Sequence, residues 1–266
     1  MPLADRTVLS TSGPETKTFL QGLVTNDVTK LSAEHPLYAA LLTPQGKVLF
    51  DFILSERDGE VLIDCAAASA EILLKRLTMY RLRAKVELKP RDDLAAFWST
   101  DEFPGALPDP RLPELGWRDI AARGDSSDGA AAYAAHRLSL GVPEGGDFGS
   151  DKVFALDAGL EELHGVSFDK GCYVGQELTA RMKHRGTARK RLLPIASSDG
   201  RTLPAAGSEV RAGETSLGEI SSTYGPQGFA LIRLDRWHEV GPVQPHAGDL
   251  TIAISKPAWL GPVESP

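Results

Sequence analysis

Cysteine is nearly absent from this sequence: two thiols, Cys65 and Cys172, stand far apart in 266 residues. No CxxC pair occurs and the six histidines are scattered. A disulfide framework is therefore not expected, nor a zinc site with four ligands from this chain. The expectation is a reducing cytosol and no resident metal. Positive charge is also scarce. Lysine and arginine number 29 against 36 acids, a net charge of −7, which argues against a general nucleic-acid binder. No apolar run approaches the roughly 20 residues of a membrane span, and the opening Met-Pro-Leu-Ala-Asp-Arg lacks a secretion signal's apolar stretch. Aromatics are sparse at 7%, yet 42% hydrophobic residues suffice for a core. The chain reads as a soluble, cytoplasmic protein without a membrane partner, of one or two domains.

Periodicity predicts mixed α and β structure over residues 1–95. Glu15 to Leu23 is a short helix after Ser12-Gly13-Pro14. Leu37–Leu42 and Lys47–Leu54 form a hairpin across Pro44-Gln45-Gly46, and Val61–Asp64 adds a strand. Ala70, Leu73, Leu77 and Tyr80 recur at helical spacing, so about Ser69 to Tyr80 is an amphipathic helix with Lys75 and Arg76 outward. Ala84–Leu88 alternates as a strand. Four prolines make residues 99–116 a loop or linker, and 123–129 is a second polar break. Tyr133–Leu140 resumes as helix before Gly141 and Pro143. From Leu192 the pattern changes to short apolar pieces separated by glycine or proline: Leu192–Ile195, Glu209–Val210, Ser216–Ser221, Ala230–Leu234 and Leu250–Ile254. That spacing favours a small antiparallel barrel or sandwich. Residues 257–266 read as a loose tail.

Lys170-Gly171-Cys172-Tyr173-Val174-Gly175-Gln176-Glu177 is the most pointed stretch. Flanking glycines keep a small side chain accessible. A neighbouring cation and a helix starting near Gly175 would favour thiolate over thiol. Cys65, ending an apolar strand, reads as core packing by contrast. Asp51 sits inside the apolar Val48-Leu49-Phe50-Asp51-Phe52-Ile53, where a carboxylate must face solvent, pair, or bind a ligand. Asn26 and Asp27 follow the first helix, where Asx-turn chemistry is their usual role. The strip Arg181, Lys183, His184, Arg185, Arg189, Lys190 and Arg191 is either a solvated face or a seat for an anion. RNA contact is a third reading of it, discounted by the overall acidity.

The octapeptide, with Arg181 and Arg185-Gly186 after it, resembles the signature of the YgfZ-type folate-binding proteins. That family is linked to iron–sulfur cluster assembly or repair and is related to the glycine cleavage T-protein, an aminomethyltransferase. The resemblance extends to Phe19–Val28, Leu42–Lys47, Leu74–Lys85 and Gly165–Phe168. It implies an α+β molecule with two mixed α/β lobes of aminomethyltransferase type (about 1–95 and 96–190) around a central tetrahydrofolate cavity, then a C-terminal β-barrel over 191–256. It further implies folate-side roles for Asn26, Asp27, Asp51, Tyr133 and Asp157, with Asp51 as proton donor and Tyr133 stacking on the pterin. Lys170 and Arg181 would tune the charge of Cys172, while Tyr173 and Gln176 shape its loop.

Two departures stand out. Ser139 replaces a glutamate in Arg137-Leu138-Ser139-Leu140-Gly141, and a hydroxyl cannot supply paired carboxylate acceptors. Cys172 itself is absent from the transferases. The leading expectation is a tetrahydrofolate-binding accessory protein in iron–sulfur cluster assembly or repair. In it Cys172 acts as a transient cluster ligand or redox thiol, and the partners are iron–sulfur enzymes or assembly proteins. A folate-dependent aminomethyl transferase and an RNA-binding module are the alternatives.

Overall fold

Apolar strands too rich in valine, leucine and isoleucine to stay in water build the first lobe. The computed structural model describes residues 1–124, 127–185 and 189–261. The lobe comprises β1 (Arg6–Ser12), α1 (Thr16–Gln21), β2 (Leu37–Leu42), β3 (Val48–Arg57), β4 (Glu60–Ala66), α2 (Ala70–Arg81) and β5 (Glu87–Pro90). Its antiparallel sheet runs β2-β3-β4-β1-β5. Leu73 and Leu77 of α2 and Phe19 and Leu20 of α1 enter one core with Phe52 and Ile63 of the sheet. Helical spacing places those leucines on a single face, and their burial is the main stabilising contribution.

The second lobe contains β6 (Leu94–Ser99), β7 (Leu107–Pro108), β8 (Trp117–Ala122), α3 (Ala130–Ser139) and α4 (Gln176–Arg185), with sheet order β6-β8-β7. Trp98, Tyr133, Phe148 and Leu160 of this lobe share a core with Tyr38 and Leu42 of the first and Phe229 of the third. The third unit holds β9 (Lys190–Ser197), β10 (Glu209–Ala212), β11 (Thr215–Tyr224), β12 (Gln227–Arg233), α5 (Leu234–Val240), β13 (Pro245–Ala247) and β14 (Leu250–Ile254). The strands close as a barrel in the order β10-β11-β12-β9-β14-β13, which leaves no open sheet edge.

Several expectations shift. Strands β1, β6 and β8 were not anticipated from periodicity. The strand expected at Ala84–Leu88 moves to Glu87–Pro90, because Arg81–Ala84 is taken up by a turn closed by the Ala84 N–H on the Arg81 carbonyl, 2.7 Å. The proline-rich 99–116 segment is no simple linker, since Asp109 and Arg111 within it are buried. Nor is the start of the expected tail loose. The Trp259 indole donates to the Leu140 carbonyl at 3.0 Å and Leu260 is buried in the barrel core. Residues 262–266 lie outside the described residues.

Candidate functional site

At the meeting of the three units lies a cluster of buried charge. Arg6 of β1 holds Asp64 of β4 (2.5 Å), and Arg118 of β8 holds the other oxygen of that carboxylate (2.6 Å). Arg111 grips Asp109 through two nitrogens (2.9 and 2.7 Å) and also reaches Glu144 (2.7 Å) and the Tyr133 hydroxyl (2.7 Å). Arg137 of α3 pairs with Asp147 at 2.6 Å, and the barrel hydroxyls of Ser222 and Tyr224 donate to the same carboxylate. Burial opposes ionisation of Glu144. The combined charges of Arg6, Arg137, Arg111 and Arg118 outweigh it and hold this carboxyl well below the usual carboxylate range. Two guanidinium nitrogens are incompletely served. Arg118 Nη1 lies 3.5 Å from Asp109 and Arg137 Nε 3.6 Å from Glu144, and neither makes a hydrogen bond. The cavity shared by all three units, lined by Arg6, Ala66, Arg137, Glu144, Gly146 and Tyr224, encloses about 110 Å³. On the Asp64–Arg118 side a separate cleft of about 270 Å³ opens between the two lobes.

The residues expected on the folate side take other positions. Asp51 is buried, accepting from the Gly145 N–H (2.8 Å) and the Tyr38 hydroxyl (3.1 Å). Burial pushes its carboxyl up, Arg6 opposes this and Glu144 reinforces it. Asp51 lines neither cavity. Tyr133 is fully buried with its ring edge-on to Trp98, centroids 5.4 Å apart, and its hydroxyl donates to Glu144 at 2.6 Å. The expected stacking face is thereby used within the protein's own core. Asn26 donates to the carbonyls of Tyr38 (2.7 Å) and His164 (2.8 Å), pinning one lobe to the other. Asp27 caps the turn at Val28–Lys30 and accepts from Gln21 (2.9 Å) and from the Thr29 hydroxyl (2.7 Å). Turn chemistry describes Asp27, whereas Asn26 departs from it as a tie between lobes. Asp157 is buried with Oδ1 lacking any hydrogen-bond partner. Burial drives its carboxyl up to about 7, with Arg191 and Lys190 pulling the other way.

The cysteine loop is built differently. Lys170 is buried, and its ammonium donates to three converging carbonyls, those of Gln21 (2.8 Å), Val24 (2.6 Å) and Asn26 (2.8 Å). Burial pulls it down to about 8, with Asp27 acting in the opposite sense. The expected partnership of Lys170 with the thiol is replaced by this anchor onto the first lobe. At the other end Gly175 adopts φ +83°, and a Cβ there would stand 2.5 Å from the Thr43 carbonyl oxygen. Only glycine tolerates both conditions. Gly171 meets no such crowding. Between the anchors Tyr173 is buried, its N–H donating to the Gln176 side chain at 3.3 Å, and Val174 packs on the first lobe's core. Cys172 is left exposed, just ahead of α4. Cys65 is buried, and burial pushes its thiol up to about 12.

Arg181 pairs with Glu177 one helical turn away (2.8 Å), both exposed. Lys183 is bridged by Glu161, and Arg191 by Glu162 at 2.8 Å, so much of the basic strip is neutralised. Residues 186–188, and with them Gly186 of the signature, lie outside the described residues, as does the Arg185 side chain. Among the described residues no group of three or more His, Cys, Asp or Glu side chains is placed to hold a metal ion. Sequence reasoning missed the central ion cluster. Asp64 carried the available signal, since like Asp51 it interrupts an apolar strand.

Residues 189–262 match the C-terminal β-barrel domain of CAF17. The human mitochondrial iron–sulfur cluster assembly factor IBA57 is 34% identical, over 97% of this chain and 84% of that protein. The mitochondrial IBA57 homologue of Neurospora crassa is 36% identical over 72% of this chain, which spans about half (52%) of that longer relative. In fold, an aminomethyltransferase T of the glycine cleavage system from Bartonella henselae superposes with a TM-score of 0.73 at 14% identity, covering 97% of this chain and 85% of that one. The lobes and closed barrel thus have the aminomethyltransferase-type architecture that the resemblance implied. The cytoplasmic expectation is overturned, because these relatives are named mitochondrial. Among the described residues no helix is long and apolar enough to cross a membrane.

Proposed function

The chain belongs to the IBA57 family of iron–sulfur cluster assembly factors, and from that premise we propose that it supports assembly or repair of iron–sulfur clusters with the Cys172 thiol as its acting group. One observation carries the reading. The chain keeps a single exposed cysteine on a loop clamped at both ends, Lys170 on three carbonyls and Gly175 against the β2–β3 turn. A thiol with no packing role, held on a fixed support, is placed to offer sulfur to an incoming metal centre as thiolate. Among the described residues no group of three or more candidate ligands includes it, so a cluster touching Cys172 draws on ligands from a partner protein, either an assembly protein or a recipient enzyme. The test is whether Cys172→Ala restores cluster-dependent enzyme activity in cells lacking this protein. Loss of rescue with an unchanged melting temperature is expected; full rescue sinks the proposal.

Tetrahydrofolate is the second reading, favoured by the two guanidinium nitrogens at the centre that lack acceptors. Ligand pockets commonly offer about 300–1,000 Å³, whereas the three-unit cavity encloses about 110 Å³. The three-unit cavity as packed is therefore too small for a pteridine, whereas the cleft of about 270 Å³ lined by Asp64 and Arg118 comes closer to that range. Aminomethyl transfer would need Asp51 to reach the substrate, and Asp51 lines neither cavity.

A further inference from the structure

Helix α2 and the turn after it carry a surface that the fold does not use. Its inward residues, Leu73 and Leu77, fill the first lobe's core. Its outward residues include Ile72, Met79 and Leu82, three of the seven large hydrophobic side chains exposed among the described residues. Leu82 is the extreme case, 87% exposed at φ +45° and ψ −104°. It occupies the first corner of the Arg81–Ala84 turn, a conformation that glycine adopts freely and a β-carbon opposes. Neither burial nor backbone preference explains a leucine there.

Charge surrounds this apolar knob. Residues 70–89 hold six lysines and arginines against two glutamates, in a chain whose net charge is −7. Lys75 is paired with Glu71 and Lys89 with Glu60. Arg76, Arg81, Arg83 and Lys85 make no ion pair in the structure, among the described residues, and the last three are exposed. An isolated exposed apolar side chain is ordinary. One held out on a glycine-type turn between unpaired cations is an anchor with its rim.

We propose that α2 and the Arg81–Ala84 turn form a docking surface for an acidic protein partner, with Leu82 entering an apolar pocket and Arg81, Arg83 and Lys85 meeting carboxylates around it. Charge complementarity selects the partner's sign. No exposed aromatic lies on this face for nucleobases to stack upon, which disfavours single-stranded RNA. Ile72 and Met79 are separated by Lys75 and Arg76 rather than joined in a stripe, which disfavours insertion into a bilayer. Val174 of the cysteine loop packs on the same core cluster as Leu74 and Tyr80 of α2, so the proposed partner would sit on the lobe that supports Cys172. The surface is relevant to cluster handling only if the function proposed above holds. Its test involves neither cluster nor thiol.

The test titrates the full chain with a fluorescein-labelled peptide of alternating leucine and glutamate pairs, beside single-stranded RNA and phosphatidylserine vesicles. Two variants run in parallel: Leu82→Gly, and Arg81→Glu with Arg83→Glu. Leu82→Gly relieves the turn and uncovers no core, so its melting temperature should not fall. The expected result is salt-sensitive peptide binding that weakens at least tenfold in both variants. Absence of peptide binding, binding indifferent to either variant, or stronger retention on RNA or vesicles overturns the proposal.

Discussion

The centre of this molecule and its cysteine loop handle polar groups in opposite ways. At the centre, Arg6, Arg111, Arg118 and Arg137 face Asp64, Asp109, Glu144 and Asp147, all buried and bonded across three structural units. On the loop, one buried cation satisfies three backbone carbonyls, and the thiol beside it stays in water. The central charges are paired within the chain and serve to join the units. The loop is anchored at both ends and leaves its thiol exposed. In the aminomethyltransferase-type architecture the centre is the expected ligand site; here it is largely occupied by the chain's own ion pairs, and the exposed thiol lies on a separate loop.

That contrast can be broken from the centre outward. Arg111→Met should have the largest effect, leaving Asp109 and Glu144 without their shared guanidinium. Removal of one partner from a buried ion pair costs about 3–5 kcal/mol, which urea denaturation will show as a lower midpoint. An unchanged midpoint would mean that the cluster does not join the three units.

Asp157 sharpens the same point as a buried acid whose Oδ1 lacks a hydrogen-bond partner. With its folded-state pKa raised to about 7 against an ordinary value of about 3.9, the native state keeps a proton that the unfolded state has released. Its contribution to stability is therefore full below about pH 4 and falls as pH rises toward 7. Asp157→Asn should raise stability on the order of 2–4 kcal/mol at pH 8 and change little at pH 4, as read by denaturation at the two pH values. Destabilisation at pH 8 would show that the carboxylate is paired after all.

On the loop, Lys170→Met should cost about 1–3 kcal/mol by leaving three buried carbonyls without their donor. Hydrogen exchange should quicken at residues 21–26 and 170–175 while the barrel strands keep their protection. The smallest stability effect belongs to Cys172→Ala, within about 0.5 kcal/mol, since the side chain is exposed. Its loss of function should be the greatest.

How legible all this was depends on range. Helix α2 follows from a 3.6-residue period, and hairpin β2–β3 and strand β14 from contiguous apolar runs bounded by turn residues; their observed bounds lie close to those expected. Strands β6 and β8 escaped because proline and glycine between them obscured a pairing that only the folded sheet reveals. The signature loop was legible as a motif, but its mechanics were not. Lys170 sits two residues from Cys172, so proximity suggested electrostatics, whereas its Nζ is committed to carbonyls some 145 positions earlier. Likewise Asp109 and Arg111 sit among prolines and look like surface residues until Arg118, Glu144 and Tyr133 are brought to them. Local rules identify elements; a pairing across lobes has no local signature.

The central claim is that chemistry resides on the cysteine loop. It is tested most directly by supplying a cluster-free recipient enzyme with ferrous iron, sulfide and a thiol reductant in the presence of the purified full chain and following the recipient's recovered activity. Cys172→Ala, with a melting curve superimposable on that of the parent chain, should fail to raise recovery above the level without protein. Undiminished recovery by that variant would contradict the account.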